Sequence, residues 1–347
     1  MLILALDLAH HTSVSCAYDT ETTDTTYGTV RTTPSALHDL LTESAPDRLV
    51  IEISPLAGWV HDLSRSLGIE VEVANTNHEA WRWKHVKRKT DRRDALKLAE
   101  LSAMGQLPLV HVPAAEVRAW RALIAYRQTL VKRRTQVKNS IRAILARQSL
   151  SMPAGKRGWT KVALAWLEEQ AAVVDGAAWR LMLGTELRQL RVLEREYALI
   201  EGELDAIAAR DDRVALLRTI PGVGPRLAET VVALIDDPHR FASGKQVGNY
   251  AGLTPRVFQS GTMHRQGRIS GEGNPLLRSL LIQVAWLGLR YNPWMRETFE
   301  RVGRGSKARR KIAIVAVARR LLIRCWAMLR DESRWRPPQS AALRLAA

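Results

Sequence analysis

The chain has 347 residues, 46% of them apolar, and carries a formal charge of +17 with a pI near 10.5, from 52 Lys and Arg against 35 Asp and Glu. That apolar content excludes a disordered chain, the length points to two or three domains, and the basic excess points to a polyanionic partner, nucleic acid ahead of a membrane surface. Two cysteines far apart in sequence, Cys16 and Cys325, exclude a disulfide framework and a Cys-ligated zinc site and fit a reducing compartment.

Residues 1–112 read as an α/β domain. LILALDLA is a short apolar run that reaches an acid at Asp7, and it lacks the basic start of a signal peptide. VSCAYDT and TYGTVRTT follow across short polar links, which predicts a three-stranded meander. SALHDLLTESA after Pro34 has helical spacing, RLVIEIS is a buried strand, LAGWVHDLSRSLG a helix ending on Gly68, and IEVEVAN a further strand. TDRRDALKLAELSAMG reads as a helix capped by Thr90 and stopped by Gly105. Three strands followed by alternating helix and strand is a ribonuclease-H-like order.

Residues 113–210 read as a basic helical hairpin. From Glu116 to Leu167 no further acid occurs, while the window holds twelve Lys or Arg, among them Arg118, Arg121, Arg127, Lys132, Arg133, Arg134, Lys138, Arg142 and Arg147. A solvated helix face mixes both signs, so this one reads as a surface for nucleic acid. Leu187, Leu190, Leu193, Tyr197, Ile200, Leu204 and Ile207 recur at three and four, a heptad seam that predicts a coiled coil.

Residues 211–347 form a third region, helical with glycine-rich loops. TIPGVGPRLAETVVALI predicts two helices joined by a tight turn, whose amides at Gly222 and Gly224 can grip a DNA phosphate without reading bases. Gly252, Gly261, Gly267, Gly271 and Gly273 predict a flexible loop carrying Arg256, Arg265 and Arg268, with a helix from Pro275. Ser260 precedes Gly261 in that loop, with Ser243 and Ser270 as rivals; a serine can attack phosphorus once its proton is removed and the phosphate charge is neutralised. IAIVAVARRLLIRCWAML is interrupted by Arg319, Arg320 and Arg324 and should not cross a bilayer. The expectation is a cytoplasmic protein with no membrane partner and a disordered tail after Pro337.

Four acids of the first region could do chemistry. Asp7 ends the first strand, Glu52 lies in the apolar run LVIEIS where a lone carboxylate is costly, and Asp91 and Asp94 lie three apart on a helix. Converging at one sheet edge, they would hold magnesium against a phosphate. The plainer alternative is that Asp91 and Asp94 pair with the basic residues around them, Lys87, Arg88, Lys89, Arg92 and Arg93. Spacing leaves both open.

Asp7 in ALDLA, Glu52 in IEIS, the pair in TDRRDA, and then IPGVGPRLAETVVALI, YAGLTPR, SG, GRI, GN and LR together resemble the DEDD transposases of the IS110 type, the bridge-RNA-guided recombinases of insertion sequences. The resemblance covers almost the whole chain. It implies a RuvC-like N-terminal domain, a coiled-coil insert and a C-terminal transposase domain with a helix-hairpin-helix. It implies that Asp7, Glu52, Asp91 and Asp94 bind divalent metal, usually Mg2+, and that Ser260 forms a covalent phosphoserine with DNA. It implies donor and target DNA, a structured noncoding guide RNA, and a homodimer or homotetramer whose active halves come from different subunits. Many relatives have a Lys after GRI where this chain has Glu272 in ISGEGN, which removes a basic phosphate contact there. The competing readings are a Holliday-junction-type endonuclease, in which the acids activate water, and a non-enzymatic nucleic-acid binder that needs none of them.

Overall fold

LILALD is apolar at nearly every position, which suits a strand covered on both faces, and it forms β1 (Leu2–Asp7) at the centre of a five-stranded sheet. β2 (Thr12–Asp19) and β3 (Thr25–Arg31) continue antiparallel as the expected meander. The chain crosses through α1 (Pro34–Ser44) to β4 (Arg48–Glu52), parallel to β1, and through α2 (Ala57–Ser66) to β5 (Glu70–Ala74), parallel to β4. The strand order 3-2-1-4-5 is the ribonuclease-H-like arrangement. α3 (Asp91–Ala103) follows. The structure is a computed structural model that describes residues 1–75, 90–153, 158–260 and 263–337; the basic residues Lys87, Arg88 and Lys89 and the tail beyond Pro337 lie outside them.

Side chains alternate along a strand, so each strand feeds two cores. Leu4, Leu6, Leu49 and Ile51 meet Leu37, Leu41 and Val60 of α1 and α2. Ile3, Ala5, Cys16 and Val50 meet Ala95, Leu98 and Ala99 of α3 on the other face. Thr90 takes the N-cap position of α3 with extended backbone, and its carbonyl accepts from the Asp94 N–H at 3.0 Å, but its side chain makes no capping bond. Gly105 follows the helix at φ +64°.

The chain divides into two compact units, Met1–Arg118 and Ala119–Ala347. In the second, α4 (Ala115–Arg147, begun in the first unit) is followed by α5 (Lys161–Ala172) and α6 (Ala178–Ala209). Val137, Ile141 and Leu145 of α4 share a core with Leu167 of α5 and Leu183, Leu187 and Leu190 of α6. The seam expected along α6 changes partner midway. Leu204 joins a different core, with Trp120 and Ile124 of α4 and the C-terminal helices, and Tyr197 between them is half-buried beneath the guanidinium groups of Arg127 and Arg134. Leu204 and Ala208 thus bury their apolar surface with the C-terminal helices, and no separation falls near residue 210.

That larger core gathers α7 (Asp212–Leu217), α8 (Pro225–Ile235), α9 (Gly244–Tyr250), α10 (Pro275–Tyr291), α11 (Pro293–Gly303) and α12 (Arg310–Arg330). Asn274 and Asn292 cap α10 and α11, each accepting two N–H bonds from the first turn of its helix. The stretch expected as a flexible loop is instead an antiparallel ribbon, β6 (Pro255–Ser260) and β7 (Met263–Ile269). Val257, Phe258 and Ile269 favour strand, and the glycines serve its base rather than its flexibility. Gly252 and Gly273 both have positive φ, and a Cβ would come within 1.8 Å of the Glu272 carbonyl oxygen and 2.0 Å of that of Tyr250, so no other residue fits either place. No helix among the described residues is long and apolar enough to cross a membrane.

Candidate functional site

Asp7 and Glu52 are the last residues of β1 and β4, half-buried, each one position beyond the paired Leu6 and Ile51. Alternation from Ile3 and Ala5, and from Val50, puts both on the face that α3 covers. Asp94, in the first turn of α3, is 7% exposed and lies beside Ala95 and Leu98 in the same layer. Asp91, the first residue of that helix, is exposed, so the two acids that share a helix face in sequence differ in environment. Glu52 stands at the end of its strand rather than inside it, which lowers the cost of its charge.

Lys97 was not singled out by sequence, yet it stands one turn beyond Asp94. Burial lowers its pKa and the Asp94 charge works against that shift.

Among the described residues no three His, Cys, Asp or Glu side chains stand close enough together to hold a metal ion. The donor set is nevertheless all oxygen, with no His or Cys in it. Magnesium is commonly held by one or two carboxylates and completed by substrate phosphate and water, so Asp7, Glu52 and Asp94 supply the right type of donor, although the three do not together form a metal site.

Ser260 is the last residue of β6, paired with Met263 across the end of the ribbon. The side chains of Ser260 and Arg265 lie outside the described residues. Arg256 donates to the carbonyl of Ser270 at 3.0 Å, and Arg268 is exposed on β7. Of the rival serines, Ser243 precedes α9 without a capping bond, and the Ser270 N–H donates to Thr254 at the base of the ribbon. Gly222 and Gly224 form the turn between α7 and α8, with Gly224 at the N-cap. A Cβ on Gly222 would lie 3.2 Å from Gly288 Cα, which ties the turn closely to α10.

The structure sorts the basic residues of α4. Arg118 binds Asp62 and the Pro113 carbonyl, and Arg121 donates to the carbonyls of Ala233 and Leu234. Arg127 binds Glu201 and Tyr197, while Arg134 and Lys138 share Glu194, each at 2.9 Å. Burial works against the Glu194 charge, but the bonds from Lys138 and Arg134 hold its carboxyl below the usual range. All five cations are occupied within the protein, and for Arg127, Arg134 and Lys138 it is α6 that supplies the acids α4 lacks. Lys132, Arg133 and Arg142 remain exposed.

Comparison with known proteins agrees with this layout. One family model, of the DEDD transposases of IS110, matches residues 4–149, and a second, described as transposase IS116/IS110/IS902 family, matches residues 214–300. A probable family 20 transposase of Pseudomonas aeruginosa is 31% identical over 258 residues, covering 72% of this chain and 74% of its own. The chain belongs to the IS110 family of transposases. The transposase of insertion sequence element IS1111A from Coxiella burnetii is also 31% identical, over 72% of this transposase and 68% of its own length. A pilin gene-inverting protein of Moraxella lacunata is 27% identical over 80% of this chain and 72% of its own. Among solved structures, Thermus thermophilus RuvC covers 32% of the transposase at 13% identity with a TM-score of 0.25, too low to add to what the strand order establishes. Membership makes the protein a DNA-processing enzyme. The matched segments contain Asp7, Glu52, Asp91 and Asp94 in the first and Gly222, Gly224 and Ser260 in the second.

Proposed function

We propose that this transposase is an RNA-guided recombinase of an insertion sequence that cuts and rejoins DNA through a covalent bond to Ser260, assisted by divalent metal at Asp7, Glu52, Asp91 and Asp94. The observation that carries the reading is the placement of Asp7 and Glu52 at adjacent strand ends, on the face covered by the helix that bears Asp94. A bound ion, Mg2+ by the preference of oxygen donors, would neutralise charge on a phosphate.

The serine chemistry is a transesterification. Ser260 Oγ attacks phosphorus, an Oγ–P bond forms, one P–O bond to deoxyribose breaks, and the departing oxygen takes up the proton that the hydroxyl released. A deoxyribose hydroxyl of another strand then attacks the phosphoserine and restores the serine. One ester replaces another at each step, so rejoining needs no external energy source. Arg256, Arg265, Arg268 and the turn at Gly222 and Gly224 would hold DNA phosphates, and exposed Lys132, Arg133 and Arg142 of α4 would hold the backbone of a structured noncoding RNA. Pairing of that RNA with donor and target DNA would choose the site, and the protein would act as a homodimer or homotetramer.

The test is to purify the protein with its flanking DNA expressed alongside, sequence the RNA that stays bound, and incubate the complex with end-labelled donor and target duplexes. A labelled strand that stays with the protein through denaturation, and is lost in Ser260→Ala, is the expected result; Glu52→Gln should abolish cleavage altogether. Continued cleavage by Ser260→Ala without any adduct would instead mean that water is the nucleophile, as in a Holliday-junction-type endonuclease.

A further inference from the structure

From Arg301 to Arg330 the chain has ten Lys or Arg and no Asp or Glu. This stretch covers the end of α11, the connection and the whole of α12. Its basic residues are not neutralised within the fold. Among the described residues Arg301, Arg304, Lys307, Lys311, Arg320 and Arg324 make no ion pair, and Arg330 pairs only with the neighbouring Asp331. Arg310 lies over the ring of Trp286, 5.8 Å from its centre, and that indole is 39% exposed.

The arrangement is built rather than scattered. Ala313, Val317, Leu321 and Cys325 bury one side of α12, and Arg320 and Arg324 lie one turn apart on the other, flanked by the small Ala316 and Ala327. Arg319 lies against α9, where a Cβ at Gly248 would come within 2.8 Å of its Nε; that Nε is buried and has no hydrogen-bond partner. Burial first, and then the like charges of Arg301 and Arg319, push the Arg320 guanidinium down from its ordinary value. Residues from two helices therefore repel one another, and the acids of α11, Glu297 and Glu300, make no ion pair with them among the described residues. A solvated face of this length would mix signs, and a polyanion bound there would relieve the repulsion.

We propose that the α11–α12 face, centred on Arg301, Arg320 and Arg324, binds the sugar-phosphate backbone of duplex DNA. The choice of DNA over RNA rests on the proposed function: α9 packs on α12 through Gly244 against Ile323 and Gly248 against Arg319, and leads within five residues, from Tyr250 to Pro255, into the ribbon that carries Ser260. A duplex held on α12 is thus held by the element that supports the nucleophile's strand. Contacts of this kind position the duplex without reading its sequence.

The test is fluorescence anisotropy of the full-length protein with a fluorescein-labelled DNA duplex of arbitrary sequence across a salt series, and with a labelled RNA hairpin in parallel. Arg320→Gln combined with Arg324→Gln removes two phosphate contacts, so the slope of log affinity against log salt should fall by about 1.8, with at least a tenfold loss of affinity. Arg301→Gln with Lys307→Gln, both exposed, should give a comparable fall, and the corresponding Arg320→Lys, Arg324→Lys protein should keep the original slope. Circular dichroism shows that each variant is folded. An unchanged slope for the duplex in both Gln pairs overturns the proposal, and a fall confined to the RNA hairpin overturns the choice of DNA. Binding is scored without cleavage, so absence of the Ser260 adduct and failure of this surface are separate results.

Discussion

α4 and α12 carry basic runs of similar appearance, yet the fold treats them in opposite ways. Arg127, Arg134 and Lys138 of α4 are met by Glu194 and Glu201 of α6, and Arg121 by backbone carbonyls. Arg320 and Arg324 of α12 meet no acid at all among the described residues. A charge run is therefore no measure of a binding surface until its neighbours are known. An acid on an opposing helix turns a polyanion site into an internal brace, and its absence leaves the cations for a partner.

The comparison breaks most readily at the core that docks α6 on α4. Leu187 is 5% exposed in that core, and Leu187→Ala should cost about 3 kcal/mol in urea denaturation, within the range for buried leucines. A loss under ~1 kcal/mol would mean that the ion pairs, not the apolar contacts, hold the hairpin together.

Glu229 of α8 tests the same neutralised region through pH. It is 1% exposed, and its Oε1 lies 3.2 Å from Arg226, which also pairs with Asp205 of α6. Burial pushes its carboxyl from 4.5 up to about 7, against the pull of Arg226 and then Arg127. The folded chain keeps this proton to higher pH than the unfolded chain does. The group's contribution is therefore complete below pH 4.5, declines by roughly 3 kcal/mol as pH rises to about 7, and then levels. Thermal melts of Glu229→Gln across that interval should lack this decline; an equal decline in the variant would assign it to other groups.

The smallest expected change in stability is at Glu194, and it sharpens the comparison most. Glu194→Ala leaves Arg134 and Lys138 without their shared acid and should cost under ~1 kcal/mol, because the carboxylate is 42% exposed. The freed cations should raise the salt slope for duplex DNA by up to about 1.8, making α4 behave like α12. Should the slope stay unchanged, neutralisation by α6 is not what keeps Arg134 and Lys138 from duplex DNA.

Much of the first unit was legible in sequence because its strands are short apolar runs with turn residues between them. The same runs located Asp7 at a strand end, but they put Glu52 inside its strand, where the structure ends β4 on it. The difference between Asp91 and Asp94 was not legible: helical spacing puts both on one side, and only packing of α3 on the sheet buries one and leaves the other in solvent. The glycines from Gly252 to Gly273 read as flexibility, whereas backbone contacts between the two ends of the segment hold a ribbon. The basic run of α12 was read only as too charged to cross a membrane, although its freedom from acids was as plain as that of α4.

By itself the sequence determined the polyanionic partner, the ribonuclease-H-like order of elements and the ordered motifs that mark an IS110 transposase, because charge, periodicity and motif order are properties of the chain. Which carboxylates share a layer, and which cations are spent inside the protein and which are left without an ion pair, was decided by tertiary structure alone. Those facts depend on what a distant segment places opposite each side chain, as Glu194 does for Arg134 and as no acid among the described residues does for Arg320.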